Sequence, residues 1–184
     1  MNVQPTPLEG CFVLEPRVFG DSRGHFFESF NQQKFTELTS HNIPFVQDNQ
    51  SYSTKGVLRG LHAQTGASVQ SKLVRAVKGE VLDVAVDMRK ASKTYKQHFS
   101  IRLSDQNNLQ LFIPRGFLHG FVVLSDEAIF QYKCDNYYDK SAEAGAHYAD
   151  RELAIDWILP HDQLIVSDKD IILPKISEAD DFGF

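Results

Sequence analysis

The chain has 184 residues, with 19 basic and 24 acidic side chains and a formal net charge of −5 when its histidines are neutral. With 42% apolar and 23% charged residues it can bury one domain-sized core, which excludes disorder as its main state. No apolar run approaches the roughly 18 residues of a spanning helix, and residues 1–5 lack the basic and apolar regions of a secretory signal, so a cytoplasmic protein that does not engage the membrane is expected. Residues 31–38 read as the clearest helix, capped by Asn31, with Phe35 and Leu38 on one face. Residues 56–64 read as a strand with Leu58, Gly60 and His62 on one face. Residues 71–77 run through Lys78-Gly79 into 80–88, where Leu82, Val84, Val86 and Met88 alternate, and this predicts a hairpin. Short apolar runs at 109–113 and 120–124 flank Pro114-Arg115-Gly116. Residues 128–134 alternate, with Phe130, Tyr132 and Cys134 inward and Ile129, Gln131 and Lys133 on the other face. Nothing repeats at a fixed period and no stretch suits a linker, so one all-β domain with minor helix is expected, a sandwich or a barrel.

Cys11 and Cys134 lie far apart without metal-like spacing, as in a reducing compartment. An acidic chain without basic blocks is not a nonspecific nucleic-acid binder, though a few placed cations suffice for a small anion. Polar residues on inward faces carry the most information, because burying them is costly unless they are satisfied. His62 beside Gly60 has room around its ring; a core histidine bonded to a carbonyl reads the same way. Tyr132 lies between Phe130 and Cys134, so its hydroxyl needs either a structural partner or a task. Lys72 opens a strand, where a lysine is ordinarily a solvated end. The run from Pro114 to His119 looks like the second half of the cupin signature. The first half of a metal-binding cupin would carry His-x-His, whereas here Gln64 stands in place of the second His. One or two imidazoles do not make a three-ligand site, so no metal is expected. No Gly-rich loop precedes a helix, which leaves any phosphate to side chains. Arg23 and Arg59 are candidates, and also read as ordinary surface arginines.

A set of motifs in one order then supports a family. Residues 15–24 and 27–30 come first, followed by Phe45-Val46-Gln47-Asp48-Asn49 and residues 56–62. Lys72-Leu73-Val74-Arg75, residues 114–121, Asp135-Asn136-Tyr137-Tyr138 and Ser167-Asp168-Lys169-Asp170 complete it. The chain resembles the dTDP-4-dehydrorhamnose 3,5-epimerase family, the RmlC type within the cupins. The resemblance implies a jelly-roll cupin over residues 1–184 with a few short peripheral helices. Within it, residues 1–50 would be exchanged in a homodimer, 51–150 would form the barrel core and 151–184 would close the site.

The family's substrate is a nucleoside-diphosphate 4-ketohexose, dTDP-4-keto-6-deoxy-D-glucose, whose C3 and C5 protons are acidified by the ketone. Inverting each carbon needs a base on one face, an acid on the other and a donor for the enolate oxygen, with no cofactor. The resemblance gives His62 as the base, Tyr132 as the acid, Lys72 as the enolate's partner, and Asp170, or else Asp168, as the group that orients His62. Asp83 could support them or face outward. The resemblance also implies diphosphate contacts from Arg23, Arg59 and His119. Glu28, Gln47 and Asn49 would surround the nucleoside, Tyr138 would stack on its base, and Glu143 and Lys169 would edge the site. Ala63 and Thr65-Gly66-Ala67-Ser68 replace the family's usual aromatic and Pro-Pro turn. They keep open a C3-only epimerase of a related sugar or a noncatalytic nucleotide-sugar-binding cupin.

Overall fold

The computed structural model describes residues 1–179 and 182–184. In chain order its elements begin with β1 (Asn2–Pro5), β2 (Phe12–Glu15), β3 (Phe19–Asp21), β4 (Gly24–Phe26) and helix α1 (Gln32–Thr39). There follow β5 (Gln47–Thr54), β6 (Val57–Gln64), β7 (Lys72–Lys78), β8 (Glu80–Asp87), β9 (His98–Ser104) and β10 (Gln110–Ile113). The chain ends through β11 (Phe117–Val123), β12 (Glu127–Cys134), β13 (Glu143–Gly145), β14 (Ile165–Val166) and the single turn α2 (Asp168–Ile171). One sheet has the order β1-β2-β10-β7-β12-β5, and the second has β13-β6-β11-β8-β9 with β14 joined in parallel to the start of β6. Strands β3 and β4 make a separate hairpin. From β5 to β8 each connection crosses to the other sheet, as do those from β9 to β12, which is how a jelly roll winds.

Three apolar layers explain the strand patterns. Between the sheets, Val74, Ala76 and Phe130 meet Val81, Ala85 and Phe121. Outside the second sheet, Leu58, Leu82, Val84, Val86, Leu118 and Val122 are covered by Trp157, Leu153 and Ile176 from the returning C-terminal segment. Outside the first sheet, Leu14, Leu73 and Phe112 pack on Phe35 of α1. Strands β8 and β11 are therefore apolar on both faces, because each is buried on both faces. The expected helix forms with Asn31 at its cap, where the side chain accepts from Lys34 N. Only Phe35 of the expected face is buried; Leu38 is 46% exposed, because the aromatic nest of Phe30, Phe45 and Phe112 surrounds Phe35 alone.

Two expectations about the strands are corrected. Strands β7 and β8 are not a hairpin, since β7 pairs with β10 and β12 while β8 pairs with β9 and β11. Gly79, at φ +74°, turns the chain from one sheet into the other; a Cβ there would meet Glu127 O at 2.1 Å. Leu58 and His62 do not share a face. Opposite β11, His119 pairs with His62 but Phe121 pairs with Arg59, so β6 carries one extra residue at Gly60-Leu61. This bulge leaves Leu58 and Leu61 in the outer core and turns Arg59 and His62 toward the interior of the sandwich. Gly60 and Gly120 allow the close approach, since a Cβ on Gly60 would lie 2.6 Å from Gly120 Cα.

Candidate active site

The bulge that turns His62 inward also fixes its partner. Ser167 caps α2, and its Oγ accepts from Asp170 N, which brings the Asp170 carboxylate beneath β6. Asp170 Oδ1 lies 2.7 Å from His62 Nε2, and Oδ2 accepts from Gly60 N at 3.3 Å. Burial opposes charge on Asp170, but the bonds from His62 and Gly60 outweigh it and hold the carboxyl below its ordinary value. An ionised acceptor at Nε2 assigns the proton to that nitrogen and leaves the lone pair on Nδ1, the form a base needs. Asp168 is exposed on the same turn, so Asp170 is the aspartate that meets the histidine.

The facing sheet supplies two further groups, and the sheet of His62 supplies the rest. Tyr132 on β12 and Lys72 on β7 line the same cleft as His62, and the Lys72 ammonium lies 5.9 Å from the Tyr132 ring centroid. Burial raises the Tyr132 phenol and keeps it protonated, while burial lowers Lys72, with Cys134 and Asp83 partly opposing that. His119, paired with His62 across the second sheet, bonds Asp83 Oδ2 at 2.8 Å. Burial depresses His119, and Lys72 and His62 add to this against the pull of Asp83. Asp83 is thus buried inside the sandwich, and its second oxygen, Oδ1, has no protein partner. Arg59 is held by Ser53 Oγ, at 3.2 Å from both Nε and Nη2.

His62, Lys72 and Tyr132 stand where two clefts meet. One, of about 300 Å³, is lined further by Ser51, Arg59, His119, Phe121, Ser167, Lys169 and Asp170. The other, of about 340 Å³, adds Gln47, Asn49, Ala63, Gln64, Gln70, Tyr138 and Glu143. Glu143 and Lys169 form an ion pair between the two linings, which raises Lys169 and, against the cost of burial, lowers Glu143. Leaving aside Asp83 and the alternative Asp168, eleven of the thirteen residues singled out in the sequence therefore line these clefts. Arg23 and Glu28 do not. Arg23 binds Asp21 on the β3–β4 hairpin, and Glu28 binds Asn31 and Lys34 at the start of α1. Ser51, Gln64 and Gln70 are lining residues that sequence reasoning passed over as site residues. The period-two run of polar side chains at Gln47, Asn49, Ser51 and Ser53 was a signal for the first, and the place of Gln64 two residues after His62 for the second. Among the described residues no three His, Cys, Asp or Glu side chains converge as a metal-ligand set, and no helix is long and apolar enough to cross a membrane.

A family model described as dTDP-4-dehydrorhamnose 3,5-epimerase matches residues 5–178. The protein of that name from Shigella flexneri is 52% identical over 182 residues, covering 99% of each chain, and that from Pseudomonas aeruginosa is 51% identical over the same span. The crystal structure of dTDP-4-dehydrorhamnose 3,5-epimerase from Elizabethkingia anophelis superimposes with a TM-score of 0.93 at 50% identity, over 96% of this chain and 97% of its own. An enzyme from Legionella pneumophila, solved in complex with dTDP-4-keto-L-rhamnose, superimposes at 0.92 with 46% identity, over 96% and 93%. With its jelly roll and its double cleft, the chain belongs to the dTDP-4-dehydrorhamnose 3,5-epimerase family.

Proposed function

We propose that the protein inverts C3 and C5 of dTDP-4-dehydro-6-deoxy-D-glucose to give dTDP-4-dehydro-L-rhamnose. The observation that carries this reading is that His62 and Tyr132 stand on strands of opposite sheets and line one cleft, with Lys72 beside the tyrosine. His62 Nδ1 takes the proton from the carbon next to the ketone, and the C–H electrons move into an enolate on the C4 oxygen. Lys72 donates to that oxygen, and Asp170 stabilises the imidazolium. Tyr132 then gives its proton to the other face of the same carbon as the ketone re-forms. Return of a proton from His62 to Tyr132 through solvent restores both groups, and the cycle repeats at the second carbon. No redox change or cofactor enters this sequence.

Arg59 and His119 would hold the diphosphate, while Gln47, Asn49 and Tyr138 would hold the nucleoside. Arg23 and Glu28 would act in the site of a second copy, across a homodimer to which residues 1–50 contribute. Two buried free thiols, Cys11 and Cys134, suit a reducing compartment, so we place the enzyme in the cytosol. Incubation of the substrate with the protein in D2O, read by NMR, tests the reading. Deuterium is expected at both C3 and C5, with the L-rhamno product trapped by a 4-keto reductase and NADPH. Exchange at C3 alone would replace it with a 3-epimerase, and exchange at neither carbon would end it.

A further inference from the structure

Two glutamines from opposite sheets hold consecutive backbone amides at the mouth of the nucleoside-side cleft. Tyr138 N donates to Gln47 Oε1 at 3.1 Å, and Asp139 N donates to Gln64 Oε1 at 2.7 Å. Gln47 stands on β5 of the first sheet and Gln64 on β6 of the second. A backbone N–H can only donate, so the atom of Gln64 that faces Asp139 is its oxygen. Gln47 is anchored in turn, since its Nε2 donates to Asn49 Oδ1 at 3.0 Å and Asn49 Nδ2 approaches Cys134 Sγ. The residues after Asp139 are fastened as well. Asp139 Oδ1 accepts from Ser141 N and Oγ, and the Ala142 carbonyl accepts from Thr65 N and Oγ1. Against this fixed backbone Tyr138 is 52% exposed and lines the cleft, with its hydroxyl bonded to Glu143. A ring held open to solvent on a tethered backbone offers a stacking face without the cost of ordering a loop on binding.

We infer that Gln64 is a positioning residue for the nucleotide: with Gln47 it clamps the Tyr138-Asp139 backbone, so that the Tyr138 ring meets the base pre-ordered. The inference rests on the proposed nucleotide-sugar reading of this cleft and adds Gln64, which acts through Tyr138 without touching the reacting carbons. Gln64→Met keeps the side-chain length and removes the acceptor.

Calorimetric titration with dTDP, together with steady-state kinetics on the nucleotide sugar, tests it. Gln64→Met is expected to weaken dTDP binding about tenfold. KM should rise in parallel, and kcat should stay within about twofold of wild type because the acid and base are untouched. In a Tyr138→Ala background the same substitution should change dTDP affinity less than about twofold, since what it positions is gone. Gln64→Asn, too short to reach Asp139 N, should behave like Gln64→Met and serves where the methionine variant does not fold. An unchanged dTDP affinity in the single variants overturns the clamp. So does a loss that persists in full without the Tyr138 ring, or a fall in kcat at unchanged KM. A wild-type protein that binds no dTDP at all overturns the nucleotide-sugar reading itself, and the clamp with it.

Discussion

Asp170 and His62 are 108 positions apart in sequence and 2.7 Å apart at Oδ1 and Nε2. The contact holds the imidazole in one tautomer and would compensate the charge acquired in the proposed role of base. Asp170→Asn keeps the size and the Gly60 contact but withdraws the negative charge. It is expected to lower kcat by about 10²-fold or more with KM little changed. Steady-state kinetics at saturating substrate, with thermal melts to confirm the fold, check this.

Asp83 and His119 make a buried pair whose value lies in its completeness. His119→Phe would leave the buried Asp83 side chain without its hydrogen-bond partner, at a cost of about 3–5 kcal/mol. Asp83→Asn in the same background removes the stranded charge and should recover at least about half of that loss. Urea denaturation of the single and double variants measures both.

The acid limit of stability should be set in part by Asp135. Burial alone would raise its carboxyl, but bonds from His41, Ser71 and Arg115 win and push it down to about 2 from 3.8. A carboxyl depressed on folding adds stability above its unfolded value, and this is lost as pH falls through the folded one. The Asp135 contribution, about 2 kcal/mol by linkage, is therefore complete above pH 4 or so and disappears toward about pH 2. Urea midpoints of wild type and Asp135→Asn should converge across that window and stay apart at neutral pH.

Arg23 tests the proposed dimer. Arg23→Ala and His62→Asn should each be inactive alone. Unfolded together and refolded as a mixture, they should regain about a quarter of wild-type activity, because each mixed dimer would hold one intact site. A mixture as inactive as its components would place Arg23 in its own chain's site or in none.

The all-β class, the helix cap at Asn31 and the inward face of β12 were legible because each follows from local periodicity and capping, whereas the jelly roll came from the resemblance. The β7–β8 pairing was not, because a Lys-Gly turn between two apolar strands looks alike whether the chain reverses within a sheet or crosses to another. Long-range pairing distinguishes the two, since β7 takes β10 and β12 as neighbours and β8 takes β9 and β11. The face of His62 was misjudged for a related reason. Strict alternation assigns it to the side of Leu58, and one extra residue at Gly60-Leu61, fitted against Gly120, reverses that. The family motifs brought Asp170 to notice, but the aspartate that reaches His62 is chosen by the Ser167 cap and the turn of α2. Gln64 is a residue of ordinary type whose role appears only once Asp139 N stands 2.7 Å away.

In the proposed reaction base and acid act from opposite faces, His62 from one sheet and Tyr132 from the other. Tyr132→Phe, incubated with dTDP-4-dehydro-6-deoxy-D-glucose in D2O and followed by NMR, tests it most directly. Deuterium should still enter the sugar with retained configuration, because His62 can remove and return a proton on its own face, while inverted product falls by about 10²-fold or more. Inversion at the wild-type rate in this variant would contradict the claim and remove Tyr132 as the acid.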